Sequence, residues 1–143
     1  MKPMRQMVCA LLAVTLLIPA AAASPGSGNP LWDVQGHWAQ KEIQEAVAAG
    51  WVDGYPDGSF QPEKTITRAE FTVMAMRFAR LPEGGENPFS DVTSSDWFYD
   101  QAVGAVQYGW ITGYTDGTFR PEATITRADV TAITNRLLDR TAD

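Results

Sequence analysis

Two arginines lie where a helix is predicted to begin, and each could receive a negatively charged group. Arg68 and Arg127 both follow a threonine and precede an alanine and an acidic residue. The unpaired amides of a helix N-terminus and a guanidinium can converge on one carboxylate. The sequence therefore predicts a carboxylate receptor at each arginine. In the alternative interpretation, each arginine pairs with a nearby carboxylate of the protein itself.

Four aromatic residues precede the arginines, two before each, and offer flat faces. They are Trp51, Tyr55, Trp110 and Tyr114. Such rings combine a large apolar surface with one polar atom, which suits either the wall of a ligand groove or a hydrophobic core. We count all four as candidate ligand-binding residues, with burial in the core as the alternative.

Composition excludes several other kinds of site. With one cysteine, Cys9, and one histidine, His37, the chain cannot build an internal disulfide, a cysteine zinc site or a histidine metal cluster. His37 also has no partner carboxylate or nucleophile at a useful spacing, so we interpret it as a helix-start residue. A net charge of −6 argues against nucleic acid as a partner. We predict a protein without metal, cofactor or catalytic activity.

The first 23 residues have the pattern of a secretory signal peptide. Lys2 and Arg5 give a positive start, residues 8–18 are apolar or small, and alanines at 21–23 suit a cleavage site. The apolar run is shorter than the roughly 20 residues that a membrane-spanning helix requires. We therefore predict export, no integral membrane segment after processing, and a linker over residues 24–32.

The rest of the chain contains two tandem copies of one motif, and corresponding residues of the copies are 59 positions apart. The predicted copies span 33–80 and 91–140, joined by a linker over 81–90 that is rich in proline, glycine and glutamate. Of the twenty residues 50–69, fourteen recur unchanged in 109–128. Internal repetition of this kind indicates that each copy is one structural unit.

Each copy is predicted to fold as helix, loop, helix. The apolar spacing places the first helix of the first copy at about 38–49, ended by Gly50. In the second copy, Ser94 or Ser95 is the candidate N-cap of the corresponding helix.

The second helix of each copy has a stronger start signal. Thr67 with Glu70, and Thr126 with Asp129, have the spacing of a capping box.

The loop between the helices contains an aspartate–glycine pair in each copy, Asp57-Gly58 and Asp116-Gly117, which suits a tight turn that could flank a short hairpin. Four apolar residues after these turns are predicted to anchor the loops in the core: Phe60, Ile66, Phe119 and Ile125.

These elements together resemble the S-layer homology motif. The shared features are an Asp-Val start, a tryptophan in the first helix, Gly-Tyr-x-Asp-Gly-x-Phe-x-Pro in the loop, and Ile-Thr-Arg-Ala with an acid at the second helix. The resemblance implies a mainly α fold of tandem helix–loop–helix repeats that bundle as part of a pseudo-threefold spindle. It also implies a secreted protein that anchors non-covalently to cell-wall polysaccharide bearing pyruvylated sugars.

The resemblance gives the candidate residues a specific role. Arg68 and Arg127 would bind the pyruvyl carboxylate, and the four aromatic residues would stack on sugar rings or form the wall of the groove. Such spindles usually hold three motifs, whereas this chain has two. A homo-oligomer or another protein with the motif could supply the third, which makes an assembly adaptor the alternative function. A tether between an outer membrane and the wall is a further alternative.

Overall fold

The computed structural model of the protein describes residues 31–139. Its four α-helices are α1, Gln40–Ala48; α2, Arg68–Ala79; α3, Tyr99–Gln107; and α4, Arg127–Leu137. A short 3-10 turn, Trp32–Val34, precedes α1. Residues 31–139 contain no β-strand, and one isolated bridge joins Thr67 to Thr124. The prediction of a mainly α fold built from helix–loop–helix repeats is confirmed.

Several sequence predictions fall outside the described part of the chain. These are the signal peptide at 1–23 with Cys9, most of the linker at 24–32, and the last residue of the second copy. No helix within 31–139 is long and apolar enough to cross a membrane.

The second helix of each repeat begins with the predicted capping box. The Thr67 hydroxyl accepts from the amide of Glu70 at 3.2 Å, and the Glu70 carboxylate accepts from the amide of Thr67 at 2.8 Å. Thr126 and Asp129 make the same reciprocal pair. Each box satisfies two amides at a helix start, which fixes where α2 and α4 begin.

The first helix of each repeat begins later than predicted. α1 starts at Gln40 rather than near residue 38, because the preceding residues form a turn in which Nδ1 of His37 accepts from the amide of Ala39. The prediction of a serine N-cap for α3 is wrong. Its N-cap is Phe98, whose side chain makes no capping bond, and the local carboxylate of Asp96 instead accepts from the amide of Thr93 at 2.7 Å.

Both predicted aspartate–glycine turns are present. The amide of Gly58 donates to the carbonyl of Tyr55 at 2.9 Å, and Gly117 donates to Tyr114 at 3.0 Å. Both glycines have positive φ, 82° and 79°, which glycine adopts without a Cβ clash. Each turn therefore begins at one of the candidate tyrosines and fixes its backbone.

An aspartate at the start of each repeat closes the loop. Asp33 accepts from the amides of Phe60 at 2.8 Å and Gln61 at 2.6 Å, and Asp91 binds the equivalent amides of Phe119 and Arg120. Desolvation opposes ionisation of Asp33, but the two amides outweigh it and hold the pKa of this carboxyl below its usual value. We call these contacts the aspartate clamps.

The hydrophobic core lies where the two repeats meet. α2 packs against α3 and α4, whereas α1 makes no comparable contact with another helix in the described residues. Phe119 is fully buried, as predicted, while the other three predicted anchors are half-buried. The buried cluster joins α2 to the second repeat through Ala69, Val73, Met76, Phe89, Val92, Phe98, Ala102, Ala105, Trp110, Ile111, Phe119 and Ile133.

Candidate functional site

A groove of about 130 Å³ opens at the junction between the repeats. The first repeat contributes one lining residue, Arg68, from the start of α2. The second repeat contributes the others: Trp110, Ile111, Thr112, Gly113, Tyr114, Asp129, Ala132, Ile133 and Arg136. Packing of the two repeats therefore adds the Arg68 side chain to a groove that the second repeat otherwise lines.

Backbone hydrogen bonds hold the start of α2 against the second repeat. The amide of Arg68 donates to the carbonyl of Ala123 at 2.8 Å, and the amide of Ala69 donates to Pro121 at 3.0 Å. The predicted receptor combined free helix amides with the arginine, and this part of the prediction is wrong for α2 because the amides are already paired. The guanidinium of Arg68 is the group that remains for a ligand.

The side chain of Arg68 is buried but incompletely satisfied. The residue is 7% exposed, and its guanidinium carbon lies 5.2 Å from the ring centroid of Tyr114 and 5.4 Å from that of Phe119. One terminal nitrogen is 3.5 Å from the Asp129 carboxylate. The buried Nε has no acceptor among residues 31–139. Buried donors are normally paired, so this atom is a donor that either a water molecule or a ligand group would satisfy.

Asp129 is held as a carboxylate at the edge of the groove. The Thr126 hydroxyl lowers the pKa of this carboxyl most, the amide of Thr126 adds to the effect, and the charge of Arg68 contributes less. The long contact to Arg68 therefore joins two charged groups without saturating the guanidinium.

A second arginine makes the groove positive on balance. Arg136 lines it and donates from its guanidinium to the carbonyl of Trp110 at 3.0 Å. The lining of the groove thus contains two arginines and one carboxylate, that of Asp129. The groove is suited to a small anion although the chain as a whole carries −6.

The two candidate aromatic residues of this groove differ in exposure. Trp110 is 6% exposed and belongs to the core, so it offers little surface to a ligand. Tyr114 is 37% exposed and lies near two guanidinium groups, those of Arg68 and Arg120, the latter 3.9 Å from its ring centroid. Of the two, the tyrosine presents the accessible ring.

The corresponding residues of the first repeat lie elsewhere. The Tyr55 hydroxyl donates to Glu70 at 2.7 Å and accepts from the ammonium of Lys64 at 3.1 Å. Trp51 is half-buried and packs edge-on against Phe78. Neither Tyr55 nor Trp51 lines the groove.

Arg127, the sequence equivalent of Arg68, is exposed at the start of α4. Its guanidinium makes no salt bridge or side-chain hydrogen bond with residues 31–139. The structure therefore brings together three of the six predicted site residues, Arg68, Trp110 and Tyr114, and leaves the other three outside.

Sequence reasoning missed Arg136 and interpreted Asp129 only as a capping residue. Arg136 recurs as Arg77 in the first repeat, so the repeat comparison contained a usable signal. The expectation that His37 has no carboxylate partner is wrong, because its Nε2 lies 2.7 Å from Glu63. No cluster of three or more metal-ligating side chains is found between residues 31 and 139.

Comparison with known proteins agrees with the repeat architecture. The chain matches the family described as S-layer homology domain over residues 33–72 and 88–131. It is 37% identical over 110 residues to the cellulosome-anchoring protein of Acetivibrio thermocellus, which covers 73% of the chain and 24% of that protein.

Two further relatives differ in kind. The surface layer protein of Brevibacillus choshinensis is 30% identical over 142 residues, 96% of the chain and 12% of that protein. The exoglucanase XynX of A. thermocellus is 37% identical over 106 residues, 73% of the chain and 10% of the enzyme. The chain thus spans a quarter or less of each of these three relatives.

The matched region is shared by an anchoring protein, a surface layer protein and an enzyme. The chain is a member of the S-layer homology domain family. Such domains anchor proteins to the cell surface and cell wall, and this membership assigns the chain to that location.

Proposed function

We propose that the chain anchors non-covalently to the cell wall by binding an acidic, pyruvylated polysaccharide in the groove between its repeats. The observation that carries the proposal is the guanidinium of Arg68, which is buried at the junction with its Nε unpaired. A carboxylate entering the groove would supply the missing acceptor and would face two guanidinium groups.

The size of the groove favours a substituent over a whole sugar chain. Its volume of about 130 Å³ is well below the roughly 300–1,000 Å³ of sites that enclose a complete small-molecule ligand. A pyruvyl acetal is a small group with one carboxylate, so it would enter the groove while the polymer stays on the surface. The half-exposed ring of Tyr114 would contact the attached sugar.

The proposal describes a binding module and not a catalyst. The carboxylates of the described chain serve mainly in turns, clamps and caps, as Asp33, Asp57 and Glu70 show. Three of the relatives are enzymes, but the chain spans 10% or less of each of them. Anchoring uses the same groove whatever cargo a longer protein carries.

The test compares binding to purified wall polysaccharide before and after chemical removal of pyruvate. We expect the untreated polymer to bind and the treated polymer to lose at least about tenfold in affinity, because the paired carboxylate is gone. Equal affinity for both polymers would reject recognition of pyruvate.

A matched pair of arginine variants identifies the site. Arg68→Lys keeps the charge but removes Nε and the fork of donors, and we expect about a tenfold loss of affinity or more. Arg127→Lys makes the same change on the exposed side of the second repeat and should alter affinity by less than about twofold. Circular dichroism of both variants checks that the fold is intact. Equal losses in the two variants would contradict the assignment of the groove.

A further inference from the structure

The two outer faces of the chain differ in chemistry from the junction that joins its repeats. At the junction, α2 of the first repeat packs against α3 and the loop of the second. Corresponding residues of the two repeats are 59 positions apart. Each side of this contact therefore has a counterpart in the other repeat, and the two counterparts are the outer faces of the chain. The front face is formed by α1 and the loop of the first repeat, and the rear face is formed by the side of α4 that corresponds to the α3-facing side of α2.

The front face has long polar side chains where the junction has small or apolar residues. Gly104 is buried against Met76 of α2 and Val103 is buried beside Gly85 of the linker, whereas their equivalents Glu45 and Gln44 are exposed. A Cβ added to Gly104 would lie 2.8 Å from the terminal methyl of Met76. The end of the methionine can shift, so the main cost of a glutamate at this position would be the burial of its charge in the junction.

The loop of the front face already carries its own cation. Ala123, whose carbonyl receives the start of α2, corresponds to Lys64 in the first repeat. The Lys64 ammonium lies 4.7 Å from the ring centroid of Tyr55, much as the guanidinium of Arg68 lies over Tyr114. An incoming arginine would meet the Lys64 ammonium at the place where Arg68 meets Ala123, although Arg68 also shares the Tyr114 ring with Arg120.

The rear face has lost the apolar side chains of its counterpart. Met76 and Ala75 are buried on α2, and their equivalents Asn135 and Thr134 are exposed and half-buried. Thr131 is exposed as well, whereas its equivalent Thr72 is buried. At these three positions α4 offers a further repeat fewer apolar side chains than α2 offers the second repeat, although Leu138 at the end of α4 is 45% exposed.

We propose that the front and rear faces are caps, so that the two repeats form a closed unit to which a second copy of the chain does not add. Repeat proteins end in units with a polar outer face because an uncovered junction surface would be apolar. On both outer faces, polar residues occupy positions whose counterparts in the other repeat are buried in the junction. They give each outer face the polar surface of a terminal unit. If the groove binds polysaccharide as proposed, the unit formed by residues 31–139 binds it at the junction and gains no site from a second copy.

The first test is the mass of the chain in solution, after expression with its own N-terminal segment so that export and processing take place. Light scattering and sedimentation from about 1 to 500 μM should give the mass of one chain throughout. A mass that rises with concentration toward two or more chains would overturn the proposal.

The second test transfers the junction residues to the outer faces. The variant Gln44→Val/Glu45→Gly/Lys64→Ala/Asn135→Met copies the chemistry of the junction onto both caps. We expect its mass to increase with concentration. A folded variant that remains a monomer would show that these residues are not what prevents association.

The converse pair Met76→Asn and Gly104→Glu places the cap residues in the junction. We expect a lower melting temperature than for Gln44→Ala and Glu45→Ala, which change the cap alone. Equal stability of the two pairs would contradict the contrast between junction and caps. These measurements use no polysaccharide, so failure of the capping proposal is distinguishable from failure of polymer binding.

Discussion

The loops of the two repeats are nearly the same sequence, yet their arginines have opposite environments. Arg68 is 7% exposed and contacts the second repeat, whereas Arg127 is exposed and contacts no partner side chain within residues 31–139. Both begin a helix with the same capping box. The difference shows that the environment of this arginine is set by the neighbouring repeat and not by its own motif.

The same contrast holds for the phenylalanine that anchors each loop, and it gives the largest expected effect. Phe119→Ala should cost about 3–5 kcal/mol of unfolding free energy, because the ring is fully buried in the junction core. Phe60→Ala should cost clearly less, since its ring is only half-buried. Urea denaturation measures both. Equal losses would indicate that each repeat has an independent core.

Acid should weaken both repeats through their capping carboxylates. The pKa of Asp129 is lowered chiefly by the Thr126 hydroxyl, and the pKa of Glu70 is lowered by the Thr67 amide and the Tyr55 hydroxyl although burial opposes this. A lowered folded-state pKa gives stability that is present above the unfolded value, near 4, and is lost as the pH falls further. The urea concentration at the midpoint of unfolding should therefore decrease as the pH is lowered from 5 to 2.

The control for this pH dependence is Asp129→Asn, which removes one of the titrating groups. Its midpoint should be lower than that of the unaltered chain at pH 7 and should change less on acidification. An unchanged pH profile in this variant would assign the acid sensitivity to other carboxylates.

The capping threonines offer a smaller and matched comparison. Thr67→Ala should cost about 1–2 kcal/mol, because the start of α2 is packed in the junction. Thr126→Ala should cost about 0.5–1 kcal/mol, because α4 begins at an exposed surface. Thermal unfolding of the two variants measures the difference. The reverse order would contradict the greater coupling of α2.

The smallest expected effect is that of Arg127→Ala on stability. Its side chain is exposed and makes no ion pair within the described range, so the change should stay within about 0.5 kcal/mol. A loss of more than about 1 kcal/mol in urea denaturation would mean that this arginine has a structural partner.

The features that could be predicted from the sequence depend on neighbours in the chain. The capping pair Thr67 and Glu70 is three residues apart, and this spacing is sufficient to predict a helix start. The adjacent pair Asp57 and Gly58 is sufficient to predict a turn. The start of α3 is a case in which local signals compete. The side chain of Asp96 caps the preceding turn, and the nearby serines are not used for α3.

The features that the sequence did not disclose depend on which repeat faces which. Arg68 and Arg127 have the same neighbours in sequence, and only the packing of α2 against the second repeat buries one of them. The pairing of the α2 amides with Ala123 and Pro121 has the same origin. Corresponding positions such as Met76 and Asn135 differ in polarity, which indicates that the two repeats have different surroundings. The difference does not say which of the two arginines is buried.

The aspartate clamps have a consequence for the order in which the exported chain folds. Each clamp joins residues 27–29 positions apart within one repeat, so the first clamp can close once Gln61 is available. Burial of Arg68 needs residues as far along the chain as Asp129. Because shorter loops close at lower entropic cost, we expect each repeat to form its own loop first and the junction to form last.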